Sequence, residues 1–397
     1  MSIQLISISH KTAPLHVREL FAFSESEQLE IMRKIIQSPV IEETVIIATC
    51  NRTEVYTYSD GDNNDRDVFE WVQNVLTDSI HKDSETDISG VIRFYYGNKA
   101  IRHLFEVACG LDSMVIGEDQ ILGQVKNAHK QAMENHLCGT YLNTFFRYAV
   151  TAAKKVKTET KLSKTPVSTA SICIKAAENY VGRLAGKNVM IIGASGKIGG
   201  IVVKNLLADY KPNLFATARN FTGTKTVSDS HHHYEYTQIS YEERYQYLKD
   251  MDVVISATSS PHYTMTYENV IKHIVPGKKM AFMDLAVPLD IESRIGTIEN
   301  VGCFNIDDFS KVARDNNDKK LEEAGAARDI LEEYEIEFKK WMLFQRSLNT
   351  MRRVKAEMIA DYEEKGIETA IDKLFYRVRE SVQVDELENF LACLERV

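Results

Sequence analysis

The stretch from Lys311 to Met358 contains no proline and only one glycine, Gly325, so no residue in it is a strong helix breaker. Its apolar residues recur at steps of three and four: Leu321, Ala324, Ala327, Leu331, Tyr334, Phe338, Trp341, Phe344, Leu348, Met351, Val354 and Met358. This spacing predicts one amphipathic helix, which at about 1.5 Å per residue would be ~70 Å long. A single helix cannot bury such a stripe alone, so we expect it to pack on its own domains and on a partner chain.

Composition limits the class of protein. A chain of 397 residues corresponds to two to four domains at about 100–200 residues each. The six cysteines are scattered without a CxxC pair, which favours free thiols in a reducing compartment and gives no zinc-like spacing. We expect a cytoplasmic protein without a membrane span, because no apolar run approaches ~18 residues and the first ten residues do not resemble a signal peptide. The net charge of −9 argues against a general polyanion binder, so any nucleic-acid contact must use local basic patches.

The pattern of elements predicts a multidomain α/β protein with three regions. Residues 1–163 mix short strands and helices, which indicates an α+β domain. Residues 164–306 alternate buried apolar strands with helices, which is typical of a doubly wound Rossmann-type domain. Residues 307–397 contain the long helix and a shorter helical tail. The predicted strands are Ile3–Ser9, Thr44–Thr49, Glu54–Ser59, Asn188–Gly193, Asn213–Ala218, Asp252–Thr258 and Lys279–Leu285.

A glycine-rich turn joins a predicted strand to a predicted helix in the second region. It reads Gly193, Ala194, Ser195, Gly196, Lys197, Ile198, Gly199. Backbone N–H groups and the helix dipole hold a pyrophosphate in this context, so the turn indicates a dinucleotide site. Arg219 lies near the end of the second strand, where an acidic residue would favour NAD and an arginine favours the 2′-phosphate of NADP.

Three further groups of residues are candidates for chemistry. Cys50 follows an apolar strand in the segment Thr49-Cys50-Asn51-Arg52, where Arg52 could lower the thiol pKa, although an isolated cysteine is more often inert. His103 lies on a helix, where a structural role is the commoner one. A polar group on a glycine-flanked turn follows and fits either a binding site or helix capping: Ser113, Glu118, Asp119, Gln120 and Gln124.

Other segments leave two interpretations open. Asp284–Asp290 follows a strand at the sheet edge where ligands bind in open α/β sheets, but it could equally be a plain turn. Two stretches, residues 147–164 and 339–355, each carry six Lys or Arg. They could contact phosphate or simply form solvated helix faces. His231, His232 and His233 lie in a polar segment that favours a loop over a metal site.

Together these segments resemble the glutamyl-tRNA reductase family over most of the chain. The motifs occur in family order: SHKTAP at 9–14, ATCNRTE at 48–54, GLDSMVIGEDQILGQ at 110–124, the glycine turn, and 284–290. The resemblance implies a catalytic domain, an NADPH domain, and a spinal helix that ends in a dimerisation domain. It implies NADPH-dependent reduction of glutamyl-tRNA(Glu) to glutamate-1-semialdehyde, the first step of tetrapyrrole synthesis by the C5 route.

The same resemblance assigns roles to residues. It makes Cys50 the nucleophile of a thioester and His103 a residue important for activity. It assigns Gly193 to Ile198 to NADPH, and the partners it implies are tRNA(Glu) carrying glutamate, a second copy of the chain and glutamate-1-semialdehyde aminomutase. The glutamyl group would be bound by Thr49, Asn51, Arg52, Ser113, Glu118, Asp119, Gln120 and Gln124.

This chain departs from the family pattern in three places. The family usually has Gly where Ser195 stands and Glu where Gly196 stands, and the family's PRD reads Pro288-Leu289-Asp290 here. The C-terminal region is also shorter than is common. Two other functions remain open at this point: a non-catalytic, tRNA-binding regulatory relative, and an NADP oxidoreductase of a free small molecule.

Overall fold

The computed structural model describes residues 2–60, 65–80, 88, 90–114, 116–118, 120–160, 168–219, 223–228 and 233–396. The chain forms two compact units, Met1–Glu335 and Ile336–Val397. In the part of the chain that the structure describes, no helix is long and apolar enough to span a bilayer.

An antiparallel sheet organises the first region. Its strand order among the described residues is β2-β3-β1-β4. The strands are β1 Ser2–Ser9, β2 Glu43–Ala48, β3 Arg52–Ser59 and β4 Arg93–Tyr96. All eight residues of β3 are buried, because helices cover the sheet. The helices are α1 Leu15–Leu20, α2 Glu25–Ile35, α3 Asp65–Ser79, α4 Asn98–Ala108, α5 Gln120–Glu134 and α6 Thr140–Glu159.

A mostly parallel sheet organises the second region, with the order β11-β10-β9-β5-β6-β8-β7. Only β7, at one edge, pairs antiparallel among the described strands. The strands are β5 Asn188–Ile192, β6 Asn213–Ala218, β7 Gly223–Ser228, β8 His233–Ser240, β9 Val253–Ser256, β10 Met280–Asp284 and β11 Val301–Phe304. The helices are α7 Thr169–Val181, α8 Lys197–Asn205 and α9 Tyr267–His273; one π-helical turn, Leu206–Tyr210, and two 3₁₀ turns, Leu248–Asp250 and Ser293–Thr297, complete the region.

The predicted fold class, multidomain α/β with a Rossmann-type sheet, is confirmed by this topology. The apolar strands β5, β9 and β10 lie in the middle of the sheet and place residues in the two cores on its faces. Parallel strands bring their carboxyl ends to one edge. That edge therefore carries the turn after β5, Arg219 after β6 and the segment after β10.

The predicted long helix is confirmed and extends beyond its predicted ends. Helix α10 runs from Ile306 to Lys365, and two shorter helices follow, α11 Ile367–Ser381 and α12 Val384–Leu394. The expected single helical tail is therefore divided in two. His233 begins strand β8 and does not lie in a loop, whereas His231 and His232 lie outside the described residues. The predicted domain boundaries at 163/164 and 306/307 stay a prediction.

Candidate functional site

The turn that carries Cys50 is fixed by its neighbours. It joins β2 to β3, and the Thr49 hydroxyl accepts hydrogen bonds from the amides of Asn51 at 3.1 Å and Arg52 at 3.2 Å. The amide of His10 donates to the carbonyl of Asn51 at 2.9 Å. These bonds hold Cys50 at the end of the strand pair, half-buried and facing a pocket.

One pocket brings most of the candidate substrate residues together. Its wall contains Thr49, Cys50, Asn51, Arg52, Ser113, Glu118, Gln120, Ile121, Gln124, Thr169 and Ile198. Two of these come from the second region: Thr169, whose hydroxyl donates to Glu118 at 3.1 Å, and Ile198 of the glycine turn. The glycine turn and the thiol thus share one cavity wall. Of the residues assigned to the glutamyl group, Asp119 lies outside the described residues.

Two glycines fold the loop that carries Ser113 and Glu118. Gly110 and Gly117 have φ of +77° and +76°, a backbone conformation that other residues rarely adopt. The amide of Gly117 donates to the carbonyl of Gly110 at 3.0 Å, which closes the loop. A Cβ on Gly110 would lie 3.2 Å from the amide of Glu118. The glycines of this motif therefore serve the close return of the chain toward the pocket.

A buried network of charges lies beside the pocket and contains His103. The Glu54 carboxylate is 2.6 Å from His103 Nε2 and accepts hydrogen bonds from Arg52 at 2.7 Å and the Tyr56 hydroxyl at 2.8 Å. Arg52 also bonds Asp112 at 3.0 Å. Among the described residues, His103 is placed in this network and not in the pocket wall.

The network sets the protonation of its members. Burial alone would raise the pKa of Glu54, but His103 and Arg52 more than offset it and hold that pKa far below its usual range. Burial lowers the pKa of His103, and the Glu54 carboxylate overcomes this and raises it. The structure therefore favours a charged pair inside the fold.

Arg52 lowers the pKa of Cys50, as expected, but its effect is smaller than those of burial, Glu118 and Arg18. Burial raises the pKa of the thiol to about 12, and the Glu118 carboxylate adds to the increase. Arg18 and Arg52 oppose this only in part, because the Arg52 guanidinium is paired with Glu54 and Asp112. This environment therefore favours the neutral thiol over the thiolate.

The glycine turn has a backbone geometry that fits a dinucleotide. Gly196 is the N-cap of α8, so the exposed turn at Ser195, Gly196 and Lys197 presents backbone N–H groups at the helix start. A Cβ on Gly193 would lie 2.5 Å from the Ala257 carbonyl oxygen, and one on Gly199 would lie 2.1 Å from the Gly193 carbonyl oxygen. Only glycine permits these approaches, so the turn has the close geometry that a pyrophosphate site requires. Ala194 is half-buried within it, and Arg219 is exposed at the end of β6.

The carboxylates of Asp284 and Asp290 accept hydrogen bonds that fix the conformation of the segment between them. Asp290 accepts hydrogen bonds from Ser256 at 2.7 Å and from the Thr258 hydroxyl at 2.6 Å. Burial raises the pKa of Asp284 to about 7, although three backbone amides donate to it. The segment places Leu289 in an apolar cluster with Cys50, so it contributes to the surroundings of the thiol.

Three residues at this site were missed by the sequence analysis. Ile121 and Thr169 line the pocket, and Arg18 donates to the carbonyl of Cys50 at 2.6 Å. Ile121 lay inside a noted motif, but its apolar character gave no indication of a site. Arg18 and Thr169 are single residues of ordinary helix ends, and only the tertiary fold brings them here.

Family models match two parts of the chain. The model described as glutamyl-tRNAGlu reductase, N-terminal domain, matches residues 6–160. The model described as shikimate / quinate 5-dehydrogenase matches residues 175–312. The two matches cover the regions of the two sheets.

Curated and solved proteins resemble the chain over most of its length. It is 34% identical to glutamyl-tRNA reductase of Alkaliphilus metalliredigens over 97% of this chain and 88% of that protein. It is 31% identical to glutamyl-tRNA reductase of Bacillus subtilis over 86% of this chain and 74% of that protein. The solved glutamyl-tRNA reductase from Methanopyrus kandleri is 26% identical, with a TM-score of 0.46 over 99% of this chain and 92% of that chain.

Proposed function

The chain belongs to the glutamyl-tRNA reductase family of enzymes, and from that premise we propose that it reduces glutamyl-tRNA(Glu) to glutamate-1-semialdehyde. The tRNA is released in the process. This reaction is the first step of tetrapyrrole synthesis by the C5 pathway. The observation that carries the proposal is the single pocket in which Cys50, a set of polar side chains and the glycine turn of the dehydrogenase-type domain meet.

Cys50 is the proposed nucleophile. Its sulfur would attack the carbonyl carbon of the aminoacyl ester, the ester C–O bond would break, and the thiol proton would leave with the tRNA 3′-terminal oxygen. The product is a glutamyl thioester on the enzyme. A thioester carbonyl accepts hydride far better than an ester carbonyl, which is why a thiol suits this site.

A nicotinamide cofactor fits the dehydrogenase-type domain, and we assign it as NADPH. When bound it would supply the hydride that converts the thioester to the aldehyde and returns the Cys50 thiolate. Gly193, Ala194, Ser195, Gly196, Lys197 and Ile198 would hold its pyrophosphate at the start of α8. Arg219 would bind the 2′-phosphate by charge. The departures at Ser195 and Gly196 leave the N-terminus of α8 open, because both residues are exposed.

The remaining site residues divide into two groups. Thr49, Asn51, Ser113, Glu118, Gln120 and Gln124 line the pocket and would bind the glutamyl end; Asp119 keeps its assignment from the family pattern alone. Arg52 is already hydrogen-bonded to Glu54 and Asp112, so it could bind a substrate carboxylate only by losing one of these partners. We therefore assign it chiefly to the pocket wall. His103 would orient that wall through Glu54.

The proposal also covers domains, partners and place. We divide the chain into a catalytic domain 1–163, an NADPH domain 164–306 and a helical dimerisation domain 307–397, within a cytoplasmic homodimer that passes its aldehyde to glutamate-1-semialdehyde aminomutase. Exposed apolar residues of the C-terminal helices, such as Phe344, Ile367 and Val384, support dimerisation. Sedimentation of the protein as a monomer would refute the proposed homodimer.

Lys154 and Lys155 are candidate tRNA contacts. A charge-reversed variant tests them by the salt dependence of tRNA binding.

The deciding experiment incubates the full-length protein with NADPH and tRNA(Glu) that carries labelled glutamate. We expect labelled semialdehyde from the wild type and, without NADPH, label attached to the protein. Cys50→Ser should lose turnover by at least about a thousandfold, as removal of a nucleophile does. Cys109→Ser is the matched control, because Cys109 is buried at the C-terminal end of α4 and its thiol is hydrogen-bonded to the carbonyl of Phe105.

The two alternatives give different outcomes in the same assay. A regulatory relative would bind tRNA without forming the aldehyde or the protein-bound label. An NADP oxidoreductase of a free small molecule would keep most of its rate in Cys50→Ser, since direct hydride transfer needs no thiol.

A further inference from the structure

Arg18 is a buried arginine that contacts the backbone of the proposed nucleophile. It lies in α1, and 4% of its surface is exposed. Its guanidinium donates to the Cys50 carbonyl at 2.6 Å and to the Ala13 carbonyl at 3.3 Å, and its other terminal nitrogen pairs with Asp307. A cation so far from water requires such partners, so these contacts fix its position.

The charge of Arg18 is less fully neutralised than that of Arg52. Two carboxylates, Glu54 and Asp112, hold Arg52, and both are nearly or fully buried. The Asp307 side chain that pairs with Arg18 is 39% exposed, so water screens that pair. The charged groups that act on the thiol are Glu118, Arg18 and Arg52, and of the two cations Arg18 has the larger effect.

The partner of Arg18 belongs to the first turn of the long helix. Asp307 follows Ile306, which is buried in the apolar cluster that includes Leu15 of α1 and half-buried Cys50. The neighbour of Arg18, Glu19, accepts a hydrogen bond from the amide of Leu289 at 2.7 Å. Helix α1 therefore joins the Cys50 turn to the start of α10 and to the segment that follows β10.

From this geometry we propose that Arg18 is a positioning residue for Cys50, and that the ion pair with Asp307 determines how firmly Arg18 is fixed against the Cys50 carbonyl. Arg18 fixes the carbonyl of Cys50 and so restricts where the thiol points in the pocket. It also supplies a nearby positive charge, the role that the sequence pattern led us to expect from Arg52. The part of this inference that concerns turnover rests on the proposed function, whereas the part that concerns the thiol does not.

The test measures the thiol directly on the full chain. Iodoacetamide alkylation of Cys50, followed by mass spectrometry of the peptide that contains it, needs no substrate. In Arg18→Gln we expect the rate at fixed pH to fall about tenfold and the pH profile to move to higher pH, as expected on losing a charged hydrogen bond. Arg18→Lys, which keeps the charge, should recover much of the profile.

Asp307→Asn tests the link to α10. It should change the Cys50 alkylation profile on its own but add nothing in the Arg18→Gln background, because its effect passes through Arg18. Arg66→Gln, which removes an exposed arginine from an i,i+4 pair, is the matched control and should leave the profile unchanged.

With glutamyl-tRNA, Arg18→Gln should lower kcat about tenfold to a hundredfold with KM near the wild-type value.

Each outcome decides one of the two proposals. A folded Arg18→Gln protein with the wild-type alkylation profile overturns the positioning role. If that variant does not fold, a wild-type profile in Asp307→Asn overturns the proposal instead, and a shifted Asp307→Asn profile supports it. A shifted profile in a protein that forms no semialdehyde supports the positioning role while the proposed reaction fails.

Discussion

The two sides of the pocket are built by different physical means. On the Cys50 side, buried charged side chains in and beside the antiparallel sheet hold the wall: Glu54, Arg52, Asp112 and His103. On the glycine-turn side, the backbone itself makes the shape through the close approaches at Gly193 and Gly199. The first side should therefore fail when a charge is removed, and the second when a single methyl group is added.

Glu54→Gln tests the charged side and should have the largest effect. The substitution keeps the size of the side chain but leaves Arg52 short of a buried partner and His103 without its anion. We expect the free energy of unfolding to fall by about 3–5 kcal/mol, the typical cost of breaking a buried ion pair. Urea denaturation measures this loss.

Glu43→Gln is the matched control for Glu54→Gln. Glu43 is a buried carboxylate of the same sheet that accepts the amides of Tyr141 at 2.9 Å and Leu142 at 2.7 Å, away from the pocket. The substitution Glu43→Gln should lower the free energy of unfolding, yet leave Cys50 alkylation unchanged at a temperature where both variants are folded. If Glu54→Gln were as stable as the wild type, the charged network would not be what holds this wall.

Gly199→Ala tests the backbone side. The added methyl group would lie 2.1 Å from the Gly193 carbonyl oxygen, so α8 must move away from the turn. We expect a loss of about 1–3 kcal/mol in stability, as for other overpacked sites, together with weaker NADPH binding. Calorimetric titration with NADPH checks the second effect. Gly325→Ala, with no atom within 4 Å of the new methyl group, should leave NADPH affinity unchanged.

The sequence predicted backbone-determined features well because they leave local patterns. Glycines at 193, 196 and 199 after an apolar strand specified the turn, and steps of three and four specified α10. The pairing of Glu54 with His103 had no such pattern, since it depends on how α4 packs against the sheet. The same holds for Arg18 and Asp307, which are far apart in sequence.

Among the elements that the sequence did not predict, α6 and β4 were missed for different reasons. Helix α6 carries apolar residues at helical spacing, from Leu142 through Phe145 and Phe146 to Val156, so the pattern was present and was not recognised. Strand β4 is four residues long and mostly exposed, so it lacks the burial pattern that identifies a strand. Motifs therefore located the pocket residues in sequence, and tertiary contacts decided how each is used.

Arg219→Ser sharpens the comparison on the cofactor side. There the backbone would serve the pyrophosphate, but a side chain would serve the 2′-phosphate. Because Arg219 is exposed, its charge acts through water, and we expect NADPH affinity to fall only about five- to tenfold. NADH affinity should not change. Equal losses for the two nucleotides would refute the assignment.

His103→Gln should have the smallest effect, and its sign depends on pH. The folded pKa of His103 is raised by Glu54, so the charged pair contributes stability fully below the ordinary value near 6.5 and loses it as pH rises through the folded value. Glutamine can still donate a neutral hydrogen bond. The free energy of unfolding of the wild type should therefore exceed that of the variant by a margin that is about 1 kcal/mol larger at pH 5.5 than at high pH. This margin is the excess of a charged over a neutral hydrogen bond. Thermal midpoints across pH measure it, and a difference that grows with pH would show that His103 is held neutral and that the wall is not charge-built.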